Sequence, residues 1–443
     1  MTKPFSQMSR AKRSLETVNN SKALLPSFYN RGSGKRDNIV WCMHGVPTEF
    51  LLAFDLEPEW PENFGTLCSA RLVAVNFIET AEAEGFAPDL CSYVMNTIGY
   101  CRKSVDEGRV PAESPLAEGM GNPIMLLGSS FLCEPRYKWF QTIATRYLQL
   151  PVFSSDPVSP PFDADIDDPR IAEHFIAQIR DDLRAQVAFL EKQTGKKLDI
   201  DRFRHIMQVS QESLAYWYDT LELRKAAPCP MGPTDYFSCI IPQLYMLGKE
   251  EALEFYRKLH DEVKKRVDQG TGGIADEKYR LIFSGIPPWY NLGIFNYLEG
   301  MGAVSVFETC YYPGPSVDVD LDDPVEGLAQ RIWQKACWYH RGGAEATPEL
   351  CDPGIMLGVG SRFLRQSVED YAIDGVLMHR TRSCRAVSWG QIHNRNILEE
   401  LGIPALIFES DMADPRAWSD SRFKSQIEPF IESVAQNKSD IRA

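Results

Sequence analysis

The sequence predicts an α/β protein with two Rossmann/flavodoxin-like parallel-sheet domains, a helical middle segment and an N-terminal helical arm. Short β-rich apolar runs alternate with helical stretches in both halves of the chain, which is typical of buried parallel strands. The middle of the chain has apolar residues at helical spacing instead. The chain has 443 residues, more than one hydrophobic core usually holds, so two or three domains are expected. We predict an arm at 1–35, a first α/β domain at 36–165, a helical segment at 166–273 and a second α/β domain at 274–443.

The strands of the first α/β domain are predicted from four apolar runs. These are NIVWCM at 38–43, RLVAVN at 71–76, PIMLL at 123–127 and PVF at 151–153. A helix is expected between the last two strands, at 139–148. The Pro-rich run at 157–161, followed by acidic residues, predicts a domain boundary.

The helical segment is predicted from apolar positions that recur every three or four residues. The first such series is Ile171, Phe175, Ile179, Leu183, Val187 and Leu190. The pattern continues at 201–223 and 249–267, and GTGG at 270–273 ends it. Strand-like runs then return at 279–284, 303–307, 375–378 and 405–408, and a closing helix is predicted at 423–435.

Composition excludes several classes of function. The net charge of −14 argues against a nucleic-acid surface, which needs a basic face. No stretch approaches the ~20 apolar residues of a membrane helix. The N-terminus has basic residues without an apolar run behind them, so it is not read as a secretory signal, and a cytoplasmic location is expected.

The cysteines are the strongest chemical signal. There are eleven, an odd number, and no secretion signal accompanies them, so a disulfide framework is not expected. Neither a P-loop, G-x-G-x-x-G, G-x-S-x-G nor H-E-x-x-H pattern occurs. Because C-x-x-C is also absent, any metal cluster must take its ligands from separate loops.

Three cysteines are candidates for a site. Two of them follow predicted strands, where α/β sheets usually bind ligands, and the third follows a predicted helix. Cys133 follows the strand at 123–127, and Cys384 follows the strand at 375–378. Ligands bind beyond the carboxyl ends of parallel strands, so these two thiols occupy comparable positions in the two domains. Cys91 opens a segment after a predicted helix at 80–85. From position alone, independent core cysteines remain the competing interpretation.

The flanking sequences resemble the 2-hydroxyacyl-CoA dehydratase / benzoyl-CoA reductase family over about 40–433. The matching motifs surround the three cysteines, the ends of the predicted strands and the segment after the last strand. They are Gly45-Val46-Pro47-Thr48-Glu49, Asp89-Leu90-Cys91-Ser92-Tyr93, Cys133 with Tyr137-Lys138-Trp139-Phe140, Asp374-Gly375-Val376, Arg382-Ser383-Cys384, Gly402-Ile403-Pro404 and Glu409-Ser410-Asp411-Met412-Ala413-Asp414-Pro415-Arg416.

This resemblance implies a heterodimeric catalytic core and a [4Fe–4S] cluster held by Cys91, Cys133 and Cys384. Three protein ligands leave one iron open. A homologous second catalytic subunit, an ATP-hydrolysing iron–sulfur activator and an acyl-CoA substrate are the implied partners, with neither nucleic acid nor membrane. The resemblance assigns no role to four further cysteines, Cys42, Cys68, Cys101 and Cys310. A larger cluster of the double-cubane type is therefore an alternative to one [4Fe–4S] cluster.

The expected branch is the larger subunit of ATP-dependent benzoyl-CoA reductase. Pro287-Pro288-Trp289 and the segments at 294–299 and 302–305 are similar to it. Dehydratases of the family often have paired Asn before the second Cys, and this chain has Ser129-Ser130-Phe131-Leu132 instead. The alternatives are a 2-hydroxyacyl-CoA dehydratase subunit working through a ketyl radical, and a non-catalytic iron–sulfur electron-transfer partner.

Three further residues are candidates for the site. The family has a carboxylate near the cluster at the position of Glu49, and burial there is expected to raise its pKa for proton handling. His379, five residues before Cys384, is a second candidate proton donor. Trp289 is the candidate for packing on the acyl group. A helix-terminal Glu, a structural His and a core Trp are the respective alternatives.

Overall fold

The computed structural model describes residues 12–30, 37–130, 133, 135–156, 164–340 and 361–442, without the side chains of 338–340, 361–363, 441 and 442. It contains two four-stranded parallel sheets in these residues, with strand orders β2-β1-β3-β4 and β6-β5-β7-β8. The predicted fold class, two parallel-sheet domains with a helical middle segment and a helical arm, is therefore confirmed. The strands are β1 Ile39–Cys42, β2 Glu57–Glu59, β3 Met125–Ser129, β4 Val152–Ser155, β5 Tyr279–Ser284, β6 Ala303–Glu308, β7 Gly375–Thr381 and β8 Ala405–Ser410.

Helices surround both sheets and fill the segment between them. They are α1 Glu16–Asn19, α2 Ser21–Leu24, α3 Pro26–Tyr29, α4 Thr48–Ala53, α5 Pro61–Ala70, α6 Ala74–Ala83, α7 Ser92–Glu107, α8 Pro135–Ile143, α9 Pro169–Thr194, α10 Ile200–Glu222, α11 Pro233–Tyr245, α12 Glu250–Asp268, α13 Gly293–Glu299, α14 Pro324–His340, α15 Ser361–Asp370, α16 Arg385–Ser388, α17 Gln391–Glu400 and α18 Asp420–Arg442. A π-helical turn follows α8 at Ala144–Leu148, and 3₁₀ turns lie at Leu223–Lys225, Trp289–Asn291 and Pro415–Ala417. None of these helices is both long and apolar enough to cross a membrane.

The two central strands of the first sheet and the edge strand β6 of the second are buried along their whole length. All residues of β1, β3 and β6 are buried, so these strands read as continuous apolar runs without alternation. In each sheet the first strand in sequence is central, and the chain continues to one side and then to the other. In a sheet with this strand order, ligands usually bind at the carboxyl ends of the strands where the direction changes, here β1 with β3 and β5 with β7.

One predicted strand of the first domain is wrong. The run at 71–76 forms a turn, in which Leu72 has a left-handed φ of 61°, and then the start of α6. The apolar residues Phe77, Ile78 and Ala81 continue at helical spacing and are buried. A short apolar run does not distinguish a strand from a helix. Here the helical spacing of the following residues determines the structure. The edge strand β2 was not predicted, because its sequence Glu-Pro-Glu lacks a β pattern.

The helical segment matches its predicted periodicity. Phe175, Ile179 and Leu183 are buried along α9, and Asp168 and Asp199 cap the N-termini of α9 and α10. The Pro-rich run at 157–161, predicted as a domain boundary, lies outside the described residues.

The N-terminal arm is tied to this segment through two carboxylates. Asp235 accepts hydrogen bonds from the backbone N–H groups of Ser14 and Leu15, at 3.0 and 3.3 Å. Glu262 accepts those of Glu16 and Thr17, at 2.7 and 2.8 Å. Four otherwise unpaired N–H groups before and within α1 are thereby satisfied.

Candidate functional site

Cys91, Cys133 and Cys384 lie at the ends of elements from both domains. Cys91 immediately precedes α7, Cys133 stands between β3 and α8, and Cys384 stands between β7 and α16. Each thiol is thus next to the first turn of a helix, where N–H groups favour a thiolate. Of the ten free cysteines in the described residues, these three are partly exposed and seven are buried.

The three thiols share one electrostatic environment. Burial raises the pKa of Cys91 well above its usual value, and the neighbouring Cys384 and Cys133 raise it further. Burial likewise raises the pKa of Cys384 to about 12, with Cys133 and Cys310 adding to the effect. Three distant chain segments therefore meet at one place. The sulfur atoms are not arranged around a single ion, since no metal-binding group of three His, Cys, Asp or Glu occurs among the described residues.

A serine pair joins the two cysteine loops across the domains. The Ser383 hydroxyl accepts a hydrogen bond from the Ser92 backbone N–H and lies 3.2 Å from the Ser92 hydroxyl. The Ser383 N–H donates to the Asp411 carboxylate at 3.1 Å, and Asp411 also holds the N–H groups of Ala413 and Asp414. The residue beside Cys91 is thereby fixed to the residue beside Cys384.

Trp289 is linked to the loop of Cys91 through Tyr93. Its indole N–H donates to the Tyr93 hydroxyl at 2.5 Å, and Tyr93 lies two residues after Cys91. The indole is 8% exposed and also packs edge-to-face on Phe237 and, at 6.2 Å, beside Tyr311. Trp289 therefore has the contacts of a core residue, in a position that borders the cysteine site.

Glu49 is buried in the first turn of α4, as predicted, but its pKa differs from the expectation. Burial alone raises the pKa of this carboxyl, whereas the Arg331 guanidinium and the Ser210 hydroxyl outweigh burial and lower it. Arg331 forms an ion pair with Glu49 Oε1, which also accepts a hydrogen bond from Ser210 at 2.5 Å. The expected rise was wrong because a cation 282 positions away pairs with this carboxylate.

His379 lies inside β7 and is fully buried. Its Nδ1 is hydrogen-bonded to the Ile286 carbonyl and its Nε2, at 2.6 Å, to the Ser410 hydroxyl. The ring stacks on Phe408. Burial lowers the pKa of His379 to about 4, so the ring is neutral at physiological pH. Its contacts are those of the structural alternative, and its catalytic role remains a prediction.

Sequence reasoning missed a group of charged residues at the carboxyl end of β1. Arg136, three residues after Cys133, pairs with Glu62 on α5 at 2.5 Å and also donates to the His44 carbonyl. Arg331 and Lys335 lie on α14. Their i,i+4 spacing, which brings two cations to one helix face, was the available signal.

Comparison with known proteins identifies the family. The family model described as 2-hydroxyglutaryl-CoA dehydratase, D-component, matches residues 43–434. The (R)-2-hydroxyisocaproyl-CoA dehydratase alpha subunit of Clostridioides difficile is 24% identical over 436 residues, which cover 97% of this chain and 98% of that one. The (R)-phenyllactyl-CoA dehydratase alpha subunit of Clostridium sporogenes is 26% identical over 411 residues, 91% of each chain.

A reductase relative matches equally well. One of the subunits of the benzoyl-CoA reductase from Thauera aromatica is 26% identical over 444 residues, which cover 94% of each chain. The resemblance inferred from the motifs around the cysteines is thus confirmed. Because the family model spans most of the sequence, the chain belongs to the family of 2-hydroxyacyl-CoA dehydratase and benzoyl-CoA reductase subunits.

Proposed function

We propose that this chain is the [4Fe–4S] catalytic subunit of a benzoyl-CoA reductase-type enzyme, which delivers low-potential electrons to an aromatic acyl-CoA thioester and reduces its ring. The observation that carries the proposal is the meeting of Cys91, Cys133 and Cys384 from three chain segments at one partly exposed place. Seven other described cysteines are buried, as packing residues usually are.

The donor set fits such a cluster. Iron–sulfur clusters take cysteine thiolates, each bound to a different iron, so the sulfurs need not surround one ion. Backbone N–H groups of Tyr93 and Val94 favour the Cys91 thiolate and partly offset the effect of burial on its pKa. With Cys91, Cys133 and Cys384 as ligands, one iron would have no protein ligand, and the cluster would supply electrons when bound.

The surrounding residues supply binding and exclusion of water. The Trp289 indole and the Tyr93 ring form a buried wall against which a flat acyl group can pack. Glu49 and His379 stay our candidates for proton transfer. Glu49 must first separate from Arg331 to take up a proton, and His379 must exchange its contacts with Ile286 and Ser410.

We further propose that the chain works in a heterodimer with a homologous second subunit and receives electrons from an ATP-hydrolysing iron–sulfur activator. The names of the relatives support a heteromer, because each name designates a single subunit of its enzyme. The second candidate function is that of a 2-hydroxyacyl-CoA dehydratase subunit. It is favoured by the dehydratase relatives, one of which matches along 98% of its length.

Replacement of single cysteines tests the cluster. The chain is purified anaerobically with its partner subunit, and iron, sulfide and the EPR spectrum are measured. We expect about four irons per chain in the wild type. Most of this iron should be lost in each of the variants Cys91→Ala, Cys133→Ala and Cys384→Ala. Cys310→Ala is the matched control, since Cys310 is a buried thiol near Cys384 and should keep the iron. A full cluster in any of the three variants would remove that ligand from the proposal, and iron loss in the control would support a larger cluster.

Substrate assays separate the two enzymes. The reductase consumes electrons in every turnover of benzoyl-CoA, whereas a dehydratase returns its electron and eliminates water from a 2-hydroxyacyl-CoA. Electron consumption with benzoyl-CoA supports the first candidate. Elimination of water without net electron consumption would replace it by the second.

A further inference from the structure

Helix α7 receives a hydrogen bond at its N-terminus from the other α/β domain. Cys91 is the N-cap residue of this helix, and Ser92 is its first residue. An N-cap side chain serves the N–H groups of the second and third residues of a helix, so the first N–H needs another acceptor. For Ser92 that acceptor is the hydroxyl of Ser383, at 3.2 Å. Ser383 directly precedes Cys384, so the start of α7 is completed by a residue beside a second candidate ligand.

The position of Ser383 is in turn fixed by a buried carboxylate. The Ser383 N–H donates to Oδ2 of Asp411 at 3.1 Å. Oδ1 of Asp411 accepts the N–H groups of Ala413 and Asp414, at 2.9 and 3.0 Å. Asp411 is 2% exposed, so these hydrogen bonds are shielded from water, which strengthens them. Ser383 therefore presents its hydroxyl to α7 from a rigid support.

The loop that contains Asp411 also reaches the first domain directly. The carbonyl of Met412 accepts the Trp289 N–H at 3.0 Å and the hydroxyl of Ser69, on α5, at 3.4 Å. Ser69 is fully buried. Hydrogen bonds thus connect α5, the loop after β8, Ser383 and the start of α7 across the two domains.

The Ser383 hydroxyl is used both as an acceptor and as a donor. It accepts the Ser92 N–H and donates to the Ser92 hydroxyl, each at 3.2 Å. An ion pair between Arg385 and Asp89 also links the two cysteine loops, but its atoms are 4.0 Å apart and each side chain is 75% exposed. Exposed ion pairs contribute little, so the serine contact is the stronger of these two links.

We propose that Ser383 is a positioning residue for the iron–sulfur cluster, because its contact with α7 holds Cys91 and Cys384 at the spacing that a shared cluster needs. The inference rests on the proposed function, since it assumes that these two thiols bind one cluster. Each cysteine is one residue away from the contact, so a shift of either loop moves a sulfur. Hydrogen-bonded groups around metal ligands orient them and tune the metal centre. Loss of the contact should therefore change the cluster itself as well as the stability of the fold.

Variants of Ser383 test the proposal on the intact complex, purified anaerobically with its partner subunit. Ser383→Ala removes the hydroxyl, whereas Ser383→Thr retains one. Ser388→Ala is the matched control, because the Ser388 hydroxyl is also close to Cys384 in sequence but donates to the Thr381 carbonyl of its own loop, at 3.0 Å. The EPR spectrum of the reduced cluster and the rate at which a chelator removes its iron are measured.

Ser383→Ala should release iron roughly tenfold faster and give an altered EPR spectrum, because two hydrogen bonds between the ligand loops are lost. Ser383→Thr and Ser388→Ala should behave like wild type. Ser92→Ala should have a smaller effect than Ser383→Ala, since it keeps the backbone N–H that binds Ser383. Equal effects of Ser383→Ala and Ser383→Thr would show that the hydroxyl is not the operative group and would overturn the proposal.

Thermal unfolding separates positioning from a purely structural contact. A purely structural contact predicts that Ser383→Ala lowers the melting temperature and leaves the EPR spectrum and the rate of iron release unchanged. That result would also overturn the proposal. Positioning predicts a changed spectrum and faster iron release at temperatures at which the variant is fully folded.

The proposed function and this inference fail in different ways. If the wild-type complex holds no cluster on this chain, the proposed function fails and this inference with it. If the wild type holds the cluster, and Ser383→Ala has the same EPR spectrum and the same rate of iron release, only this inference is overturned.

Discussion

At the residue scale, Glu49 shows how one distant side chain determines the chemistry of a buried carboxyl. The local sequence predicted burial, which the structure has, and therefore a raised pKa. The Arg331 guanidinium reverses the direction. The pair is enclosed, so each group depends on the other for its stability in the folded state.

Glu49→Gln is expected to destabilise the fold, because it leaves Arg331 buried without a carboxylate. The expected loss of unfolding free energy is about 3 kcal/mol, measured by urea titration. The double variant Glu49→Gln/Arg331→Met should recover most of it. A double variant as unstable as the single one would contradict the pairing.

The pH dependence of this contribution follows from the lowered pKa. The stability due to Glu49 is present above its usual pKa of 4.5 and is lost as the pH falls through the lower folded value. The difference between wild type and Glu49→Gln should therefore vanish on acidification.

At the element scale, helix α7 is held against α6 by a close backbone approach at Gly99. A Cβ at this position would lie 1.9 Å from the carbonyl oxygen of Phe77. Only glycine fits there, although alanine is the better helix former. Because Cys91 immediately precedes α7, this contact also sets the position of a candidate ligand.

Gly99→Ala should destabilise the fold by about 1–3 kcal/mol or more, since α7 must move away from α6. Thermal unfolding of the purified chain measures this effect. Gly300→Ala is the matched control, because its Cβ would lie an ordinary 3.4 Å from the Tyr297 carbonyl oxygen and should change stability by less than about 0.5 kcal/mol. Equal stability of the two variants would contradict the close approach.

At the scale of the whole molecule, the N-terminal arm borders an open pocket of about 460 Å³ that residues of α11 and α13 also line. Glu299 lines this pocket, and burial together with nearby Asp235 raises its pKa to about 7. Its Oε2 accepts a hydrogen bond from Asn296, whose Oδ1 binds the Lys12 N–H. Glu299 is thus linked through Asn296 to the backbone of the arm, so its charge state affects the contact between the arm and the second domain.

Because the pKa of Glu299 is raised in the folded state, this residue stabilises the fold more at acidic pH than at neutral pH. The contribution of protonated Glu299 is full below the unfolded value of 4.5 and is lost as the pH rises through about 7. Glu299→Gln should therefore gain stability relative to wild type between pH 5 and 8, on the order of 1–3 kcal/mol. Unfolding curves at both pH values measure the gain. The exposed Glu432→Gln is the control, and a gain that does not depend on pH would contradict the assignment.

The sequence alone determined the features that are local in the chain. Runs such as β1 and β5 predict parallel strands, because strands covered on both faces must be apolar throughout. The motifs around Cys91, Cys133 and Cys384 predicted the family. Each motif is a contiguous stretch of sequence, so it can be recognised without the fold. The strand prediction at 71–76 was wrong because six residues are too few to distinguish the helical period of 3.6 from the strand period of 2.

The tertiary structure decided which charges meet. The pairing of Glu49 with Arg331 cannot be read from spacing, because it depends on α14 packing beside the end of β1. The same holds for the serine contact that joins the loops of Cys91 and Cys384 across the domains. Electrostatic energies depend on distance through space, and distance along the chain does not fix that quantity.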